Sequence, residues 1–148
     1  MNDDELLAGV RDAFTVLDPV PGDVLAAGRA ALGWRLPAAT LAELSLEQGG
    51  GAARGTRGEE ARTLTFTCPD ATVEVRVTGT GRFREMSGRV VPAPASVVVR
   101  HRDLPADPPG VRVEPGGLFC LPEVPAGLVS LVFRLDDGAT VVTSWVRV

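Results

Sequence analysis

The chain has no lysine and no tyrosine, one histidine and two cysteines in 148 residues. Each shortage removes a class of function. Without tyrosine, and with 5% aromatic residues and a net charge of −4, the chain lacks the stacking platform and basic footprint of a nucleic-acid binder. The single histidine, His101, stands between Arg100 and Arg102. On a strand it would face away from both, a position that suits a packed or surface imidazole better than a catalytic base. No apolar run approaches the roughly 18 residues that a membrane span requires. The opening Asn2, Asp3, Asp4 and Glu5 precede only Leu6 and Leu7, so neither part of an export signal is visible and a cytoplasmic location is expected.

The other chemically able residues are thinly spread. Ser96, Ser130 and Ser144 lack the sharp strand-to-helix elbow of a hydrolase nucleophile. The acid pairs Glu59 with Glu60 and Asp136 with Asp137 sit in turn-like segments, where solvation explains them and too few ligands surround a metal. No catalytic residue, metal or cofactor is therefore assigned. Cys68 and Cys120 fall on separate strand-like segments and suit small buried hydrophobes in a reducing compartment. Spacing leaves open whether they face each other. All fifteen basic residues are arginine, a codon-usage signature that speaks of an organism and not of a function.

Charge is unevenly distributed. Residues 1 to 50 carry three arginines against eight acids, residues 51 to 103 nine against six, and residues 104 to 148 three against five. An acidic N-terminal part thus precedes a basic middle, a polarity that can steer a charged partner and that salt weakens.

Two periodicities divide the chain. Leu6, Leu7, Val10, Phe14 and Leu17 recur at helical spacing after an acidic first turn, with Asp3 as the expected cap; Pro19 and Pro21 end this first helix. A second helix is expected from about Pro21 to Gly33 or Trp34, with Val24, Ala27, Gly28 and Ala31 forming a small-residue face that makes a hairpin with the first. The stretch from Leu36 to Glu47 fits both periods and is read as a short helix or turn followed by an edge strand. Gly49, Gly50, Gly51, Gly55 and Gly58 interrupt regular structure, and without a Gly-Lys-Ser/Thr ending this tract is no phosphate cradle.

From Arg62 onward the period is two. Leu64, Phe66 and Cys68 alternate with threonines, Pro69 and Asp70 make a turn, and Val73, Val75 and Val77 return. Strands are expected at about Phe83 to Val91, Ala95 to His101, Val111 to Val113, Leu118 to Leu121, Gly127 to Leu135 and Ala139 to Val148, the last two joined by Asp136, Asp137 and Gly138. Trp145 would share a face with Val141 and Thr143, opposite Val142, Val146 and Val148, so that one apolar face must look outward unless the helical arm covers it. The expectation is a mainly β protein: an antiparallel Greek-key β-sandwich of seven to nine strands preceded by a helical hairpin. Residues 1–47 would form the arm, 48–60 a glycine-rich loop and 61–148 the sandwich.

Gly117 and Phe119, followed by the bend Val124, Pro125, Ala126 and Gly127 and an alternating strand, resemble the repeat of carboxypeptidase-regulatory-like, or transthyretin-like, sandwiches. The resemblance implies that fold and no activity. Asp18 to Arg35, Leu41 to Leu44, Leu64 to Phe66 and Thr143 to Val148 also look like segments of small actinobacterial proteins, often encoded beside an extracytoplasmic-function sigma factor. That resemblance implies a sigma factor as protein partner. The chain departs from zinc-binding anti-sigma factors, because no Cys-x-x-Cys follows its single histidine.

Two surfaces are candidates for partner binding. One is the helical stripe Leu6, Val10, Phe14 and Leu17, which could dock in a groove or pack on the sandwich with Trp34 as anchor. The other is a guanidinium patch of Arg82 and Arg84, with Arg76 and Arg89 beside them, suited to acidic protein surfaces. The functional expectation is a non-enzymatic regulatory interaction module that contacts a partner through the arm or a sheet edge, without direct nucleic-acid or membrane binding. Its alternative is a sandwich that binds carbohydrate or cell-wall fragments.

Overall fold

In the computed structural model, which describes residues 2–33, 35–49, 61–94, 96–104 and 109–148, the change of period is realised as two helices followed by strands. The chain divides into two units, Met1–Pro37 and Ala38–Val148.

The first unit holds α1 (Asp3–Leu17) and α2 (Gly22–Leu32). The cap of α1 is Asn2, one residue before the expected Asp3. Its side chain accepts from the Glu5 amide at 2.8 Å while Glu5 Oε2 accepts from the Asn2 amide at 3.1 Å, a reciprocal capping box. Both helices form as expected, but they do not pack along one another as a hairpin, and neither buries a residue. The connection contains Pro19 and Pro21, which favour extended backbone over the tight reversal a hairpin needs.

The second unit holds β1 (Ala39–Gly49), β2 (Arg62–Cys68), β3 (Ala71–Thr78), β4 (Phe83–Val91), β5 (Ser96–His101), β6 (Val111–Arg112), β7 (Leu118–Pro125), β8 (Leu128–Arg134), β9 (Thr140–Thr143) and β10 (Val146–Arg147). They pair in the order β6-β5-β8-β9-β1-β2-β3-β4-β7, with β10 on β8, and β7 at one end comes back into contact with β5 and β6 at the other. The β2–β3 and β8–β9 hairpins close as expected. In the second, Gly138 takes a φ of 85° and the Ala139 amide donates to Asp137 Oδ1 at 2.9 Å.

β1 differs from expectation. It is one strand of eleven residues, placed between two neighbours and not at an edge. Ala39 to Ala42 run parallel to β9, and Glu43 to Gly49 run antiparallel to β2. Its residues therefore belong to the β unit and not to the arm. The bulge between Leu44 and Leu46 breaks the two-residue period, and Ala42 is the one fully buried side chain of the strand, so the pattern in the sequence was weak.

One apolar cluster fills the interior. β2, β3 and β4 contribute Leu64, Phe66, Val73, Val75, Met86 and Val90; β5, β8 and β9 contribute Val97, Val129, Leu131, Phe133 and Val141. Phe119 of β7 meets Phe133 of β8 edge to face, with centroids 5.5 Å apart. Gly88 of β4 makes room for that ring, since a Cβ there would lie 2.8 Å from Phe119 Cζ.

The last strand is divided by a bulge. Val132 pairs with Val142 and Val129 with Val146, so Thr143, Ser144 and Trp145 stand opposite only Ser130 and Leu131. Side chains satisfy the interrupted ladder: Thr143 Oγ1 accepts from the Leu131 amide at 2.9 Å, and Ser130 Oγ donates to the Thr143 carbonyl at 2.8 Å. The extra residue reverses the alternation. Val141 and Thr143 are buried before it and Val148 after it, with Val146 packed on the core and Trp145 exposed. The conflict between the two faces of this strand is thus resolved by backbone geometry, with no cover over Trp145 required.

Phe119→Ala should cost about 3–5 kcal/mol in equilibrium denaturation, because it empties the contact between β7 and β8. Thr143→Val keeps the shape but leaves the buried Leu131 amide without its acceptor; a loss of about 1–3 kcal/mol is expected, with Thr143→Ser retaining most of it.

Candidate interaction surface

α1 gathers the predicted stripe. Leu6, Val10, Phe14 and Leu17 lie within one arc of the helix together with Leu7, at 50%, 45%, 64% and 82% exposure for the four predicted residues. The acids Asp3, Asp4, Glu5 and Asp12 outnumber the one base, Arg11, on this helix. The capping box and the first-turn acids both stabilise its N-terminus, so the helix is specified locally although its apolar face is uncovered. Trp34, the expected anchor, lies outside the described residues, as does the glycine tract from residue 50 to 60.

The structure separates the four arginines that the sequence grouped. Arg84 folds onto its own turn, its Nη1 donating to the carbonyls of Gly81 at 2.9 Å and Phe83 at 3.1 Å. Arg82 is exposed in the same turn, and its carbonyl accepts from the Ala126 amide at 2.9 Å. Arg76 and Arg89 instead project from the outward face of β3 and β4 opposite Ser87 and Glu74, where all four line a shallow depression with Leu118. Glu74 dilutes the positive charge there.

His101 is committed to structure. Its Nδ1 accepts from the Asp103 amide at 3.1 Å, which leaves Nε2 to donate to the Ala126 carbonyl at 3.1 Å. The ring lies against Gly127, whose φ is 143° and where a Cβ would come within 2.7 Å of Nε2. Ser130 bonds across the bulge, and Ser144 Oγ accepts from the Leu44 amide at 3.1 Å, so both serines hold strands together. Cys120 is exposed on the outward face of β7 while Cys68 packs against the core, and both are free thiols. Among the described residues no cluster of three or more His, Cys, Asp or Glu could hold a metal ion, and no helix is long and apolar enough to cross a membrane.

The bulge sets up a contact that the sequence concealed. Trp145 turns outward, and the Arg100 guanidinium of β5 sits 5.5 Å from its ring centroid. Burial pulls Arg100 below the ordinary arginine value, which for a guanidinium still means a permanent cation. Strict alternation places Trp145 on the inward face; only the inserted residue puts it outside, so no signal short of the bulge itself could have paired the two.

Comparison of the chain with protein-family models, with curated proteins and with solved structures finds no match. The mode of contact is therefore read from the surfaces just described.

Gly127→Ala should destabilise the β unit by about 2 kcal/mol or more, through both the strained backbone angle and the encroachment on His101. Denaturation of Gly127→Ala alone and combined with His101→Ala separates the two: relief in the double variant identifies the steric part.

Proposed function

We propose that this chain is a non-enzymatic interaction module, a regulator or partner of a sigma factor, in which α1 supplies the contact. One observation carries the reading: α1 is locally well specified and amphipathic, yet every large apolar residue of its stripe is exposed. Such a helix matches the helix-in-groove mode, in which residues spaced i, i+4, i+8 and i+11 enter a partner's apolar cleft. The acids around the stripe favour a groove rimmed by basic residues and disfavour an anionic membrane surface or nucleic acid.

In this reading the β unit is a Greek-key sandwich of the transthyretin-like kind and serves as the platform. The passage of β1 from one ladder to the next supports it, as do Gly117, with a φ of 82°, and the Val124–Gly127 bend between β7 and β8. The sigma factor is proposed from the sequence resemblance, and the exposed helix supports only the mode of contact.

Affinity capture from the native host is expected to recover one specific partner, a sigma factor, with the full chain. Changing Leu6, Val10 and Phe14 together to serine should abolish that capture while leaving the β-type circular dichroism and the denaturation midpoint of the β unit in place. Equal recovery by the triple variant would overturn the assignment of the contact to α1.

A further inference from the structure

The outward face of the ladder formed by β1, β9, β8 and β5 carries one aliphatic row. The registers align Leu41 with Val142, Val142 with Val132 and Val132 with Val98, a row of four large aliphatic side chains across four strands on the face opposite the core. Gly110 lies against Val98 at the end of the row. Leu41 is 50% exposed, Val142 and Val98 are half-buried, and Val132 at the centre of the row is buried, at 6%. An outward sheet face normally alternates to polar residues, as β2 and β3 do with Thr63, Thr65, Thr72, Glu74 and Arg76. This one does not.

The row is bordered by cations. Arg134 and Arg112 stand on one side, both cross-strand neighbours of Ser96; Arg100 stands on the other, opposite Ser130 and over Trp145. Glu43 is the acid that the β1 register places on the same side of the strand as Leu41. An apolar track edged with arginines fits an amphipathic helix edged with acids. The chain possesses such a helix: α1 has an exposed apolar stripe, four acids and one base.

We propose that this face is the docking site for α1 of a second copy of the chain, giving a two-fold dimer in which each copy's α1 lies on the other's β1-β9-β8-β5 face. The occupant follows from the charge match: a partner helix with basic flanks would be repelled by Arg112 and Arg134. Reciprocal exchange also covers both apolar surfaces of both copies at once, the closed, isologous arrangement that ends association at two. The inference goes beyond the proposed function. It makes the chain its own first partner, so a heterologous groove would compete with the sheet face for α1.

Sedimentation velocity of the full chain over the micromolar range tests it with three proteins. The wild type should dimerise, more weakly as salt rises. Phe14→Glu, which spoils the arm, and Leu41→Glu, which spoils the face, should each be monomeric with unchanged circular dichroism. Mixed together, the two variants should associate again, because the intact arm of Leu41→Glu meets the intact face of Phe14→Glu. A monomeric wild type overturns the proposal, and so does a dimer that survives in either variant. A wild-type dimer whose variants do not complement each other points to arm-on-arm or face-on-face pairing and overturns it equally. Host-partner capture by Leu41→Glu, whose arm is intact, reports separately on the proposed function and is expected to succeed whether or not the dimer exists.

Discussion

The bend at Val124–Gly127 is the constraint on which the β unit depends. It carries the chain from β7, at one end of the ladder order, to β8, near the other, so consecutive strands belong to different parts of the sheet. Three separate elements hold it. The Ala126 amide donates to the Arg82 carbonyl in the turn before β4, Gly127 exchanges two backbone hydrogen bonds with Val148, and His101 bonds the Ala126 carbonyl. These contacts fix where β8 begins. From that point the register places Phe133 against Phe119, and the two ends of the sheet close over one interior.

The same economy accounts for the chemistry of the unit. His101, Ser130, Thr143 and Ser144 are groups that another fold could use as base or nucleophile; here each spends its hydrogen-bonding capacity on a bend or a bulge. A buried donor or acceptor costs more unpaired than it gains when paired, so these side chains are tied to the backbone they complete. Two further features lie at the surface: an acidic helix with an exposed apolar stripe, and a sheet face with an aliphatic row between arginines.

Much of this was legible from residue order. The stripe Leu6, Val10, Phe14 and Leu17, the strands carrying Leu64 and Phe66 or Val73, Val75 and Val77, and the Asp-Asp-Gly turn follow from local periodicity and turn chemistry, which act over a few residues. The grouping of Arg82 and Arg84 with Arg76 and Arg89 did not survive. Closeness in sequence says nothing of which side of a strand a guanidinium leaves, or whether it bends back to its own turn. The cap of α1 moved by one residue for a similar reason, since Asn2 and Asp3 are both able caps and only Asn2 has Glu5 at the reciprocal position.

By itself the sequence determined the helical arm, the mainly β body and the hairpins, because each is settled by interactions between residues close along the chain. The tertiary structure alone decided the two-sided pairing of β1, the bulge that turns Trp145 outward toward Arg100, and the alignment of Leu41, Val142, Val132 and Val98. Each of these depends on register between strands far apart in the chain. A register shift of one residue exchanges the inner and outer faces without changing a single letter of the local pattern.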